Sequence, residues 1–120
     1  MNDKFILNGI EVFGYHGDLP EERKLGQKFL VDLELNLDLS KAGISDELSD
    51  TVDYPKILAE VEKIVGGKPK NLIETVAETI AKKILQDFEL IESLQVTVHK
   101  PFAPLKIKYS DAAVSIFRKR

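Results

Sequence analysis

The stretch Gln27-Lys28-Phe29-Leu30-Val31-Asp32-Leu33-Glu34-Leu35-Asn36-Leu37-Asp38-Leu39 decides the fold class. Phe29, Val31, Leu33, Leu35, Leu37 and Leu39 alternate with Leu30, Asp32, Glu34, Asn36 and Asp38. A period of two gives one apolar face and one mostly polar face, the pattern of a half-buried strand. A helix would scatter those charges all round, so the spacing predicts a strand over 27–39.

Upstream, Lys4 to Tyr15 is rich in Phe, Ile, Val and Tyr and predicts another strand, punctuated by Gly14, Gly17 and Pro20. Downstream, Ser40 to Val52 reads as a polar connection. Pro55 then suits a first helical position, where its missing N–H costs nothing. Ile57, Leu58, Val61, Ile64 and Val65 follow at helical spacing, and Gly66-Gly67 ends that helix. A second helix starts near Asn71, with Leu72, Ile73, Val76, Ala77, Ile80, Ala81, Ile84 and Phe88 as its apolar stripe. Leu94, Val96 and Val98 alternate again and lead into Lys100-Pro101; Ala112 to Arg118 reads as the last strand. The order strand, strand, helix, helix, strand, strand predicts an α+β fold: an antiparallel sheet with two helices on one face, in one domain over 1–120. Such a sheet has exposed edges, which invite pairing with further copies of the chain.

Composition narrows the chemistry. The 120 residues are 43% hydrophobic and 31% charged, with a net charge of −3. Both signs are spread along the chain, without the basic stripe a nucleic-acid surface needs, so no nucleic-acid partner is expected. With no cysteine, thiolate catalysis and Cys-based metal sites are excluded, and two histidines, His16 and His99, cannot build a three-His zinc site. No apolar run approaches the roughly 20 residues that span a bilayer. The start, Met1 to Ile10, lacks the apolar core of a signal peptide. A cytoplasmic protein without membrane partner, metal or cofactor is the expectation.

The remaining candidates each have a bland alternative. Glu21-Glu22 follows Pro20 and can be two solvated carboxylates. Glu74 lies three residues after Asn71, and Asn-x-x-Glu is also a capping-box-like helix start. Tyr54 precedes Pro55 and can be only an anchor for the helix. Lys100 extends the inward face of Leu94, Val96 and Val98; it either snorkels to solvent or is a lysine whose unusual setting makes it a base. His99 points to the other strand face and reads as structural, whereas His16, in Gly14-Tyr15-His16-Gly17, reads as a possible pocket residue. Together these residues form a set of carboxylates, a tyrosine and a lysine suited to proton transfer on a polar heterocycle.

Gly14-Tyr15-His16-Gly17, Glu22, Gly26-Gln27-Lys28-Phe29, Asp38-Leu39-Ser40-Lys41-Ala42, Asp46, Thr51-Val52-Asp53-Tyr54, Asn71-Leu72-Ile73-Glu74 and Lys100-Pro101-Phe102-Ala103-Pro104 occur in this order. In that order and spacing the sequence resembles the dihydroneopterin aldolases along nearly its whole length; Leu105 to Asp111 is its least typical stretch. The resemblance implies the tunnelling fold, in which ββααββ subunits close into a tetrameric ring barrel and two rings stack into a homo-octamer. It also implies sites at subunit interfaces, with Tyr54 supplied by the neighbouring chain.

The implied activity is an aldolase of folate biosynthesis, cleaving 7,8-dihydroneopterin, a small pterin, to 6-hydroxymethyl-7,8-dihydropterin and glycolaldehyde, without metal, cofactor or Schiff base. The implied roles are Lys100 and Tyr54 in proton transfer, with Glu22, Tyr54, Ile73 and Glu74 holding the substrate. Epimerisation to 7,8-dihydromonapterin is an implied side reaction. Two alternatives stay open: an enzyme that chiefly epimerises dihydroneopterin or its triphosphate, and a non-catalytic ring protein that binds pterins or purines. The fold alone does not choose, because it hosts several pterin and purine enzymes.

Overall fold

The structure is a computed structural model and describes residues 2–120. Four strands, β1 (Lys4–Gly14), β2 (Gln27–Asn36), β3 (Ser93–Lys100) and β4 (Ala112–Lys119), form one antiparallel sheet in the order β1-β2-β3-β4. Of the four helices among the described residues, two are long: α3 (Tyr54–Val65) and α4 (Ile73–Asp87). The α+β reading and the two main helices thus stand. No helix among the described residues is long and apolar enough to cross a membrane.

The alternating stretch occupies the centre of the sheet. Phe29, Val31, Leu33 and Leu35 are fully buried, and Leu94, Val96 and Val98 of β3 continue the same inner face. Helix α3 sets Ile57, Val61 and Val65 against them, and α4 sets Ile73, Val76, Ala77, Ile80, Ala81 and Ile84. Those spacings place one stripe of each helix on the core, where burial stabilises each large side chain by about 1.5–3 kcal/mol.

The structure corrects several boundaries. Strand β2 stops at Asn36, although Leu37 stays buried while the chain turns away. The segments taken as turn and connection contain short helices: α1 (Pro20–Leu25), α2 (Ser40–Ser45), and a 3-10 turn at Leu48–Asp50. Helix α4 begins at Ile73, with Leu72 rather than Asn71 at its N-cap, so Glu74 does not close a capping box with Asn71. Strand β1 carries a bulge: its register slips between Leu7 and Ile10, and Gly9 there takes φ +67°, a conformation that favours glycine. The N–H of Gly9 donates to Asp32 Oδ1 at 2.7 Å.

Candidate active site

The ends of β1 and β3, the short helix α1 and the start of α4 meet at one end of the sheet. His16 fastens the first joint. Its ring is 1% exposed; Nε2–H donates to the Val65 carbonyl at 2.6 Å, and Nδ1 accepts the Lys70 N–H at 3.0 Å. These partners put the proton on Nε2. Burial pushes the His16 pKa below its usual value, outweighing the opposing pull of the Val65 carbonyl, and nearby Lys70 and Arg23 add to the depression. His16 is therefore a buried neutral brace, not the pocket residue its position suggested.

A second joint runs beside it. Gly17 N–H donates to the Lys70 carbonyl at 2.9 Å, Arg23 Nε donates to the Gly17 carbonyl at 2.9 Å, and Arg23 Nη2 donates to the Asn71 side-chain oxygen. These bonds tie the helix that carries Glu22 to the loop that opens α4 and so carries Ile73 and Glu74. Ile73 is buried; Glu74 is exposed in the first helical turn, where backbone N–H groups lack intrahelical partners.

Glu22 and Lys100 come into direct contact. Lys100 Nζ lies 2.6 Å from Glu22 Oε2, with the side chains 15% and 4% exposed. Lys100 is thus neither a snorkelling strand end nor an unpaired charge, and Glu22 is not one of two solvated carboxylates. Glu22 Oε1 accepts the Leu19 N–H at 3.3 Å, while buried Oε2 receives no well-directed hydrogen bond. Beyond its contact with the ammonium, that oxygen retains capacity to accept a hydroxyl.

Two residues that support this pair were not singled out from the sequence. A Cβ on Gly17 would lie 2.3 Å from Glu22 Oε1 and 2.6 Å from Oε2, so the carboxylate fits only because residue 17 has no side chain. Gln27, 7% exposed, accepts the Phe102 N–H on its side-chain oxygen at 2.9 Å and anchors the turn just after Lys100.

Tyr54 is not brought to this cluster. It is 45% exposed and packs on Phe5, ring centroids 5.4 Å apart, at the start of β1. Phe5 pairs with Leu35 and Gly14 with Gln27, so Tyr54 and Glu22 flank opposite ends of β1. His99, as read, faces away from Lys100 and is bound by two aspartates.

This end of the sheet offers a nearly buried lysine–carboxylate pair, and the bonds from Gly17 and Arg23 to Lys70 and Asn71 tie its helix to the loop before the exposed Glu74. That set can exchange a proton with a hydroxyl-bearing substrate while gripping a group rich in N–H donors.

The chain is similar to known proteins over nearly its whole length. The family model for dihydroneopterin aldolase matches residues 5–117. A dihydroneopterin aldolase of Bacillus subtilis is 44% identical over 118 residues, spanning 98% of each chain. Dihydroneopterin aldolase 1 of Arabidopsis thaliana is 46% identical over 121 residues, 100% of this chain and 83% of its own. The Escherichia coli dihydroneopterin aldolase, solved in complex with neopterin, superposes with a TM-score of 0.88 at 28% identity, covering 97% of this chain and 98% of that one. A Bacillus fastidious uricase shares the fold alone, with a TM-score of 0.67 at 9% identity over 100% of this chain and 43% of its own. With the family model and full-length relatives in agreement, the chain belongs to the dihydroneopterin aldolase family.

Proposed function

We propose that this aldolase cleaves 7,8-dihydroneopterin by acid–base chemistry at the Glu22–Lys100 pair. Glu74 accepts hydrogen bonds from a ring N–H and the 2-amino group. A carboxylate matches two adjacent donors, and the charge assistance fixes the ring's orientation. The backbone of Ile73 adds to that grip. Glu22 takes the side-chain hydroxyls on its free lone pairs. Lys100, after its ammonium has passed one proton to solvent, takes as a neutral amine the proton from the hydroxyl on the second side-chain carbon. The C–C bond beside that carbon breaks, glycolaldehyde leaves, and the electron pair flows into the C=N bond of the dihydropterin. Protonation of the resulting enamine carbon gives 6-hydroxymethyl-7,8-dihydropterin. The ring accepts the electrons, so Lys100 needs no imine. Tyr54 packs on the substrate and assists the final protonation.

The observation that carries this reading is the 2.6 Å approach of Lys100 Nζ to buried Glu22 Oε2. Positioned acid–base groups of this kind contribute on the order of 10² to 10⁴-fold in rate. The decisive experiment is Lys100→Ala: turnover is lost while pterin still binds. Near-full turnover in that variant overturns the assignment, and a borohydride-trapped lysine adduct overturns the imine-free route.

The place of Tyr54 supports assembly. A tyrosine at the far end of β1 reaches a site only on another copy, and edge strands β1 and β4 supply the surfaces that join copies into a ring. The proposed unit is a homo-octamer of two tetrameric rings in the cytoplasm, each site completed by the Tyr54 of a neighbour. After cleavage, re-addition of glycolaldehyde from the opposite face inverts a hydroxyl-bearing carbon, so slow formation of 7,8-dihydromonapterin accompanies the main reaction.

A further inference from the structure

On the sheet face away from α3 and α4, a chain of polar contacts crosses β1, β2 and β3 and reaches the residue just before β4. The Gly9 N–H, at the β1 bulge, donates to Asp32 Oδ1 at 2.7 Å. The other oxygen of Asp32, in β2, lies 2.8 Å from His99 Nε2, in β3. His99 Nδ1 lies 2.5 Å from Oδ2 of Asp111, the residue before β4. Each ring nitrogen faces a carboxylate, and a carboxylate only accepts, so both nitrogens carry protons and the ring is a cation between two anions. Hydrogen bonding to Asp111, then to Asp32, raises the His99 pKa above its usual value against the opposing effect of burial.

The placement of this chain matters more than its energy. Pairing of β2 with β3 ends at Leu30 and His99. Lys100 lies one residue further, paired only with Ala112 of β4. No β2 backbone therefore supports the residue whose side chain meets Glu22. His99 is the last point at which β3 is held from both sides, and side chains alternate, so a ring fixed on one face orients the next side chain on the other. Asp111 closes the far end of the 101–111 loop onto the same ring, while Gln27 fastens its near end through the Phe102 N–H.

We infer that Asp32, His99 and Asp111 form a clamp that holds the end of β3 in the geometry from which Lys100 acts, making His99 a positioning residue for the reaction. The inference rests on the reading of Lys100 as the acid–base group. Small misplacements of such a group are costly; about 1 Å can cost on the order of 100-fold in rate. A merely structural network would instead lower thermal stability and leave turnover per folded site unchanged.

The test uses the full chain with His99→Gln, Asp111→Asn and both together, at a temperature where circular dichroism shows each folded. Turnover of 7,8-dihydroneopterin is compared with equilibrium binding of neopterin. The expected result is a fall in kcat of about tenfold or more for His99→Gln, with neopterin Kd within about twofold, because Glu74 and Glu22 hold the ligand independently of the clamp. Asp111→Asn falls less, and the double variant falls no further than His99→Gln, as members of one network are not additive. A kcat within about twofold of wild type for His99→Gln overturns the inference; if that variant does not fold, the same result for Asp111→Asn does so. Lys100→Ala separates the two levels. Turnover retained there sinks the reading of Lys100 itself, whereas turnover lost there but kept in the clamp variants sinks the clamp alone.

Discussion

Glu22 and Lys100, one on a six-residue helix and the other at the end of a strand, place a carboxylate oxygen 2.6 Å from an ammonium nitrogen in a site where both side chains are largely enclosed. Breaking such a pair by removing one partner leaves a charge without compensation. Glu22→Ala therefore does more than delete a contact: the expected outcome is a kcat/KM at least tenfold lower, together with a lower Tm, measured by steady-state kinetics and thermal denaturation.

Gly17→Ala tests the packing behind that carboxylate. The added methyl would overlap both Glu22 oxygens, so the carboxylate must swing away from Lys100. Loss of kcat/KM comparable to that of Glu22→Ala is expected, although residue 17 contributes no functional group. Unchanged kinetics would show that the Glu22 position is not critical.

His16 links the site to acid stability. Its folded pKa lies below the unfolded value of 6.5 because the buried ring is held neutral. The unfolded chain therefore binds the extra proton first. Its contribution to stability is complete above about pH 6.5 and is lost as pH falls through that value toward the lower folded pKa. Urea denaturation across pH 5–8 should show this decline, and His16→Ala should abolish it while costing about 2–4 kcal/mol through two lost buried hydrogen bonds and a cavity.

Glu60 behaves in the opposite sense. Burial and the neighbouring Asp87 carboxyl push it up to about 7. Its proton is retained on folding, so its contribution is fully present below the unfolded carboxylate range and is lost as pH rises toward 7. Glu60→Gln, which keeps the shape without the charge, is expected to raise stability at pH 8 by about 1 kcal/mol, discounted for partial solvent screening, and to leave it unchanged at pH 4. A variant no more stable at pH 8 contradicts the assignment.

Much of the fold was legible because its signals are local. The alternation from Phe29 to Leu35 fixes a strand, and Ile57, Val61 and Val65 fix a helical stripe. Pro20 to Leu25 and Ser40 to Ser45 are too short to show an apolar period, so those helices are created by their surroundings. Glu22, Glu74 and Lys100 were candidates by residue type, but the Glu22–Lys100 contact was not legible, since it depends on how α1 folds against the end of β3. His16 misled because one histidine looks alike whether it lines a pocket or braces two loops; only its two backbone partners separate the cases. Gly17 was legible as punctuation after the first strand but not as a support for Glu22, since what it supplies there is an absent side chain. Tyr54 packs on Phe5, away from Glu22 and Lys100, and its proposed place at the site depends on another copy, which a single chain does not display.

The most direct test of the central claim is to incubate the purified, chelator-treated protein anaerobically with 7,8-dihydroneopterin and resolve the products by chromatography, with Lys100→Ala in parallel. Formation of 6-hydroxymethyl-7,8-dihydropterin with glycolaldehyde by the wild type, and none by the variant despite pterin binding, is the predicted result. Equal cleavage by both proteins, or a wild type that yields only the epimer or binds without turnover, would contradict it.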